Sequence, residues 1–318
     1  MVGQEHLEGA AAAAGEVVEH AAGHAEAGFD AGKTILEHVT NGEHPLIALP
    51  KVFGIDFSIT KHVFLLWAVA AIVFAVVTLS VRAYLARDRR VPSGFMTVLE
   101  LMVEFIRDSI ALPNLGRKWV GAYTPLLLTL FVFILGANLV GLIPVFDILE
   151  LVDHFAVHSV PGSFYYGLIH GGSTATANYN VTAALATITF FAIIIAGSRA
   201  HGVVKHWVNL VPHGLAWPIY ILLIPIELMG MFVRPFALTM RLAANMTGGH
   251  IAILAILSFV FIFAGTFHPA VGVGVGAAVS VPLATAISGL EIIVVLVQAY
   301  VFTLLSAVFI GMAIHVHH

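Results

Sequence analysis

No cysteine occurs anywhere in the 318 residues, and only 10% of them are charged. The missing thiol excludes a disulfide framework, thiolate metal sites and cysteine nucleophiles. The scarcity of charge, set against 59% hydrophobic residues, excludes a soluble domain, which has no use for so much apolar surface. A formal net charge of −4 and the lack of a basic stripe argue against a nucleic acid as partner. What remains is an all-α, polytopic membrane protein.

The N-terminus also lacks the basic start and unbroken apolar core of a signal peptide, because Glu16, Glu19, His20, His24 and Glu26 interrupt its alanines. It therefore reads as part of the mature chain. Residues 1–60 mix Ala and Gly with Glu and His, a composition that suits a hydrophilic or amphipathic extension on the membrane face. Residues 61–318 form the integral membrane domain. The spacings of His20 with His24, and of His154 with His158, put two imidazoles on one helical face. Neither pair has an evident third ligand, so a plain polar face is preferred to a metal site, and no cofactor is expected.

About five spans are expected. The run after Lys61 and His62 is long enough for a first crossing of about 30 Å of hydrocarbon. Arg82, Arg87, Arg89, Arg90, Arg107, Arg117 and Lys118 then supply half of the chain's 14 Lys and Arg, so the positive-inside rule puts this loop in the cytoplasm. The N-terminus accordingly faces outward, and residues 96–110, apolar at helical spacing, are expected to lie along the inner interface. A second span is expected from about Val120 to Phe146 and a third from Thr182 to about Ser198. From Trp207 to Gly265 the chain is apolar for far longer than one crossing requires, which demands a break, a strong tilt or a run in the membrane plane. Pro212, Pro218, Pro225 and Pro235 are the expected kinks. A Gly-rich turn leads into a last apolar helix that completes a long membrane-embedded hairpin, with the C-terminus in the cytoplasm.

Inside this hairpin, Glu227, Arg234, Arg241 and Asn245 are polar residues where polarity is expensive. On a helix they fall within about 20° of one line, so the stripe must face protein or water. Arginine does not deprotonate at accessible pH, so Arg241 cannot relay a proton by releasing one. It can keep a nearby carboxylic acid ionised. The competing reading is a structural arginine paired with Glu227 or with helix carbonyls.

The run PFALTMRLAANMTGGH (235–250), preceded by IPIELMGMFVRP and followed by LVQAYVFTLLSAVFIGMA, resembles subunit a of the F-type ATP synthase. The segments FVFILGANLVGLIP (131–144) and TATANYNVT (174–182) are similar to that family's second and third spans. The resemblance covers roughly residues 60 to 315. It implies a non-catalytic, proton-conducting stator in the inner (plasma) membrane, with two offset half-channels that load and unload the carboxylates of a c-ring. The implied partners are the c-ring and the helices of a peripheral stalk of subunit b type.

Arg241 would be the electrostatic barrier facing the ring, with Asn245 beside it and Gln298 packing across from it. Glu227 would mark the cytoplasmic half-channel. If Gln298 is level with Arg241, helix rise puts His250 and Glu291 at one depth, about 10 to 13 Å further out. They make a candidate proton-access pair, a histidine that titrates near neutrality and a carboxylate that tunes it. Gly141 and Asn178 stand where many relatives carry acids. The alternative to the stator is a self-contained secondary transporter using Glu227, Arg241 and Glu291, although no paired repeat of broken helices is visible.

Overall fold

In the computed structural model the chain is described for residues 58–86, 93–143, 175–208, 217–266 and 272–315, with scattered single positions elsewhere. Among these residues the only extended pairing is an isolated bridge between Ile47 and Ile59. Everything else of length is helix, and five helical segments are long and apolar enough to cross a membrane.

The first, α1, is Lys61–Leu85. It is apolar on all sides, as a helix bathed in hydrocarbon must be. Leu65 and Val69 are buried against protein, whereas Trp67, Phe74 and Leu79 are exposed. Next come α2, Phe95–Glu104, a π-helical stretch, Phe105–Ala111, and α3, Leu112–Leu142. No loop separates these three, but the backbone leaves helical geometry at Gly116, and this kink divides the segment Phe95–Leu142 into a part that holds the expected interfacial residues 96–110 and a part that holds the second span. The single departure from helical backbone inside α3 is Gly116, at φ 73°. An L-residue with a side chain resists that left-handed value, and glycine does not.

A 3-10 turn, Ala175–Ala177, leads into α4, Tyr179–His201. Asn178 starts α4 as an N-cap, its side-chain oxygen accepting from the Asn180 amide at 2.8 Å. Gly202 ends the helix at φ 90° and the short α5, Val203–Val208, follows. The third span is therefore a few residues longer at each end than the uncharged run suggested. Its polar cap and basic last turn extend it.

Of the three ways expected for the long apolar region to fit, a break is not the one observed. One helix, α6, covers Trp217–Thr266 with Pro225 and Pro235 inside it. Each proline removes one backbone donor, which a long helix tolerates in a membrane when nearby groups satisfy the freed carbonyls. Pro218 occupies the second position of α6, where a missing N–H costs nothing. Pro212 lies outside the described residues, as do both two-histidine spacings. After a π turn at Gly272–Gly276, α7 runs from Ala277 to Ile314. The Gly-rich turn of the sequence thus becomes helical from Gly272 onward.

The chain divides into two compact units, Val39–Gly248 with Leu290–His318, and Met1–His38 with Gly249–Gly289. In the larger, Ile106, Ile110, Leu115, Leu127, Ile134, Phe302 and Ile310 are all fully buried and form the centre of the core. Small residues allow the close approaches that hydrocarbon alone does not drive. A Cβ on Gly136 would touch Val73 at 3.0 Å, and one on Gly311 would overlap the Asn114 carbonyl oxygen. In the smaller unit Gly276 lies against the Val260 backbone, so a Cβ there would come within 3.0 Å of it.

Candidate functional site

The larger unit fixes how α6 and α7 pair around the polar stripe. The Asn245 side-chain amide donates to the Gln298 oxygen at 2.9 Å. The Arg234 guanidinium stands over the Phe309 ring, 5.6 Å from its centroid, a cation–π contact. Asn245 lies eleven residues after Arg234, and Gln298 eleven before Phe309, so the two helices run antiparallel and in step. Gln298 is therefore level with Asn245, about 6 Å along the axis from Arg241. The depth match of His250 with Glu291 was conditional on Gln298 lying level with Arg241 itself. In the observed register Phe302, which is buried, stands opposite Arg241.

Arg241 is exposed, and Glu227 is half-buried. Among the described residues no ion pair joins them, and none is geometrically available, since about 21 Å of helix separates the two positions. Arg234, the third charge of the stripe, is occupied by Phe309 and not by Glu227. The structural pairing of Arg241 with Glu227 is thereby removed. Directly beneath the arginine the helix is well packed, with Leu242, Ala243 and Met246 fully buried. The result is a fixed positive charge held outward on a buried base.

Of the two residues expected to form an outer access pair, His250 is half-buried and belongs to the smaller unit. Glu291 is 5% exposed and belongs to the larger one. Gln298, on the same helix as Glu291, is also buried at 3% exposure.

A polar cluster that sequence reasoning did not assemble lies where α3 and α4 meet α6. Thr176 donates its hydroxyl to the Asn138 side-chain oxygen at 2.6 Å, and both residues are completely buried. The Asn138 amide nitrogen has no hydrogen-bond partner among the described residues. Thr247 donates to the Ala177 carbonyl at 3.4 Å, and buried Thr182 donates to the Tyr179 carbonyl at 3.0 Å. Asn138 was legible only as a polar residue in an apolar span. Its partner arrives from a loop nearly forty residues later, a pairing that no local pattern announces.

At the basic end of the larger unit, histidines hold the last helix. His201 donates its Nε2 proton to the Ile314 carbonyl at 2.9 Å, and His315 donates to the Leu115 carbonyl at 3.1 Å. A carbonyl can only accept, so both rings carry the proton on Nε2. Gly116, beside the second bond, is where a Cβ would stand 3.6 Å from the His315 ring. A third imidazole, His206 on α5, is 4% exposed and packs so closely on Gly197 that no Cβ would fit between them. Burial, and secondarily the charge of nearby His201, push the His206 pKa down. Farther along, Thr189 and Ser306 share a buried hydrogen bond of 3.2 Å between α4 and α7.

No group of three or more metal-ligating side chains is present among the described residues. The arrangement holds instead a fixed cation, neutral amides in contact, and buried hydroxyls. Each of these is a polar group held where polarity is expensive.

Comparison with known proteins agrees with this character. The family described as ATP synthase A chain matches residues 63–311. ATP synthase subunit a 2 of Chlorobium luteolum is 41% identical over 293 residues, covering 89% of this chain and 76% of that protein. ATP synthase subunit a 2 of Prosthecochloris aestuarii is 38% identical over 317 residues, 96% of this chain and 86% of the relative. ATP synthase subunit a of Anaeromyxobacter dehalogenans is 38% identical over 333 residues, 97% of this chain and 76% of the relative. With a family match over most of its length, five helices fit to span a membrane and an outward arginine on a packed helix pair, the chain belongs to the ATP synthase subunit a family.

Proposed function

We propose that this membrane subunit of the ATP synthase is its proton-conducting stator, and that Arg241 is the barrier between two offset half-channels. The observation that supports the reading best is the exposure of Arg241 above a buried base, with Asn245 tied to Gln298 one turn away. A guanidinium so placed stays charged and faces whatever passes along that surface. A c-ring carboxylate moving past it is held ionised by the nearby positive charge. It cannot carry its proton straight across, so protons must enter by one route and leave by another.

In this proposal Glu227, about 21 Å along α6 from Arg241, belongs to the cytoplasmic route. His250 and Glu291 serve the outer route, together with the buried cluster of Asn138, Thr176 and Thr182. The free Asn138 amide donor is a place for a water molecule, because a bare buried donor costs about 1–3 kcal/mol. The c-ring packs on the Arg241 face, and peripheral-stalk helices of subunit b type hold the subunit still. The basic residues after α1 set the N-terminus outside and the C-terminus in the cytoplasm. The protein contributes no catalytic site of its own; ATP chemistry takes place elsewhere in the complex.

Arg241→Ala tests the assignment. In inverted membrane vesicles carrying the assembled complex, the variant abolishes proton-driven ATP synthesis, with or without a passive leak measured by dye quenching. Retained coupled synthesis overturns it.

A further inference from the structure

The short helix α5 is docked in reverse of the usual order. Of its six residues His206 alone is buried, whereas Val203, Val204, Trp207 and Val208 are all exposed. Ordinarily an apolar side chain does the docking and an ionisable one stays outside. Six residues are too few to hold a helix by themselves, so α5 keeps its place on α4 through one imidazole.

Two glycines shape the seat for that ring. Gly197 leaves a notch in α4, and a Cβ there would overlap the His206 ring. Gly202, at φ 90°, makes the corner between the two helices, a backbone value that glycine takes readily and other residues resist. The ring meets Trp207 edge-on at 5.7 Å between centroids, and its Nε2 has no hydrogen-bond partner among the described residues. A buried polar atom left unmatched costs free energy, so the docked state is held loosely.

The surroundings also oppose a proton on the ring. His201 acts on it from α4, and exposed Arg199 and Lys205 flank the corner on the two helices. Burial first, and His201 second, push the His206 pKa down. The neutral ring is therefore the docked form, and its advantage is complete above the ordinary value of 6.5. Below that value a released ring takes up a proton, and the released form gains about tenfold per pH unit until the lowered pKa is reached.

The corner that α5 covers holds the end of α7, because His201 bonds to the Ile314 carbonyl at 2.9 Å. With α5 undocked, water reaches the corner and competes for that carbonyl. We propose that α5 is a pH-released clasp: protonation of His206 drives its ring from the Gly197 notch, swings α5 about Gly202 and, by loosening His201 from Ile314, lowers proton passage beside Arg241. The release stands on the geometry of the corner. Its effect on proton passage rests on the stator reading, and on the placement of this corner in the cytoplasm.

The test uses the assembled ATP synthase in inverted membrane vesicles, whose bath reaches the cytoplasmic face. The chain has no cysteine, so Val204→Cys, at an exposed position, carries a spin label, and the unsubstituted complex supplies the background. Label mobility is expected to rise as the bath is taken from about pH 7.5 to about 5.5. It should stay flat when His206→Phe, which keeps a ring in the notch without a titrating group, is added. No rise in the first, or an equal rise in both, overturns the clasp. Gly197→Ala fills the notch and should leave the label mobile at every pH; a label held as tightly as in the natural chain overturns it too. This second variant reads the seat even where His206→Phe fails to assemble.

ATP-driven proton pumping in the same vesicles, followed by dye quenching, falls on acidification. At about pH 5.5 His206→Phe should keep about threefold or more of the natural chain's rate, a comparison in which the pH dependence of ATP hydrolysis cancels. Equal rates, with the label released, overturn the effect on proton passage. Coupled synthesis retained in Arg241→Ala overturns the stator reading and that effect with it, while release of the label still reports the docking.

Discussion

Asn245 on α6 donates to Gln298 on α7 at 2.9 Å, and the acceptor is buried while the donor stands at the exposed face. The bond fixes the height at which the two long helices meet, one turn from Arg241. Interhelical hydrogen bonds in membranes contribute about 0.6 kcal/mol on average. Asn245→Ala and Gln298→Ala are expected to show a coupling of that order in a double-mutant cycle read by unfolding in mixed micelles. Additive effects would mean that the pair is incidental to the packing.

Gly311 and Gly121 are both helical glycines, but their surroundings differ. A Cβ at Gly311 would overlap the Asn114 carbonyl, whereas at Gly121 nothing lies within 4 Å. Gly311→Ala should destabilise the protein by about 1–3 kcal/mol through overpacking. Gly121→Ala should be neutral or stabilising by up to about 1 kcal/mol from helix propensity. Thermal unfolding of the two variants side by side checks the contrast, and an equal response would contradict the close contact.

Burial lowers the His206 pKa below its ordinary value of 6.5. A depressed pKa means that the unfolded chain binds the proton more tightly than the folded one. The stabilisation from the neutral ring is therefore complete above pH 6.5 and is lost as pH falls below that value toward the folded pKa. Hydrogen exchange at the α4–α5 corner should accelerate on acidification through this range. In His206→Phe, which keeps a ring on Gly197 without a titrating group, the acceleration should disappear.

For the proposed outer route, Glu291→Gln should slow proton flux by about tenfold or more if the carboxyl passes protons. Unchanged flux with normal assembly would take it out of the route.

Much of the fold was readable because hydrocarbon imposes a simple rule. A long apolar run with charged ends becomes a helix, and the five spans follow from that rule alone. The joins were harder. Nothing in the composition of residues 96–110 announces the π stretch Phe105–Ala111, which packs Ile106 and Ile110 into the core, or the kink at Gly116 that follows it. Pro225 and Pro235 read as breaks or kinks because a proline's local cost is visible in sequence, while the packing that keeps α6 one helix through both is not.

The polar stripe was legible from periodicity. The height of Gln298 was not, since it depends on how α6 and α7 slide past each other. That register is decided by Asn245 with Gln298 and by Arg234 with Phe309, contacts between residues more than fifty positions apart. The Asn138–Thr176 bond was hidden for the same reason.

The two histidine bonds at the basic end, His201 to the Ile314 carbonyl and His315 to the Leu115 carbonyl, act on α7 along its length. A helix that slips by one residue advances about 1.5 Å and turns about 100°. That is enough to swing the Gln298 amide away from Asn245, although it lies some 24 Å up the same rod. Anchored at its foot to two other helices, α7 resists both sliding and twisting. Thrust from a turning neighbour would therefore be passed down the rod and into α3 and α4, and the alignment beside Arg241 would be kept under load.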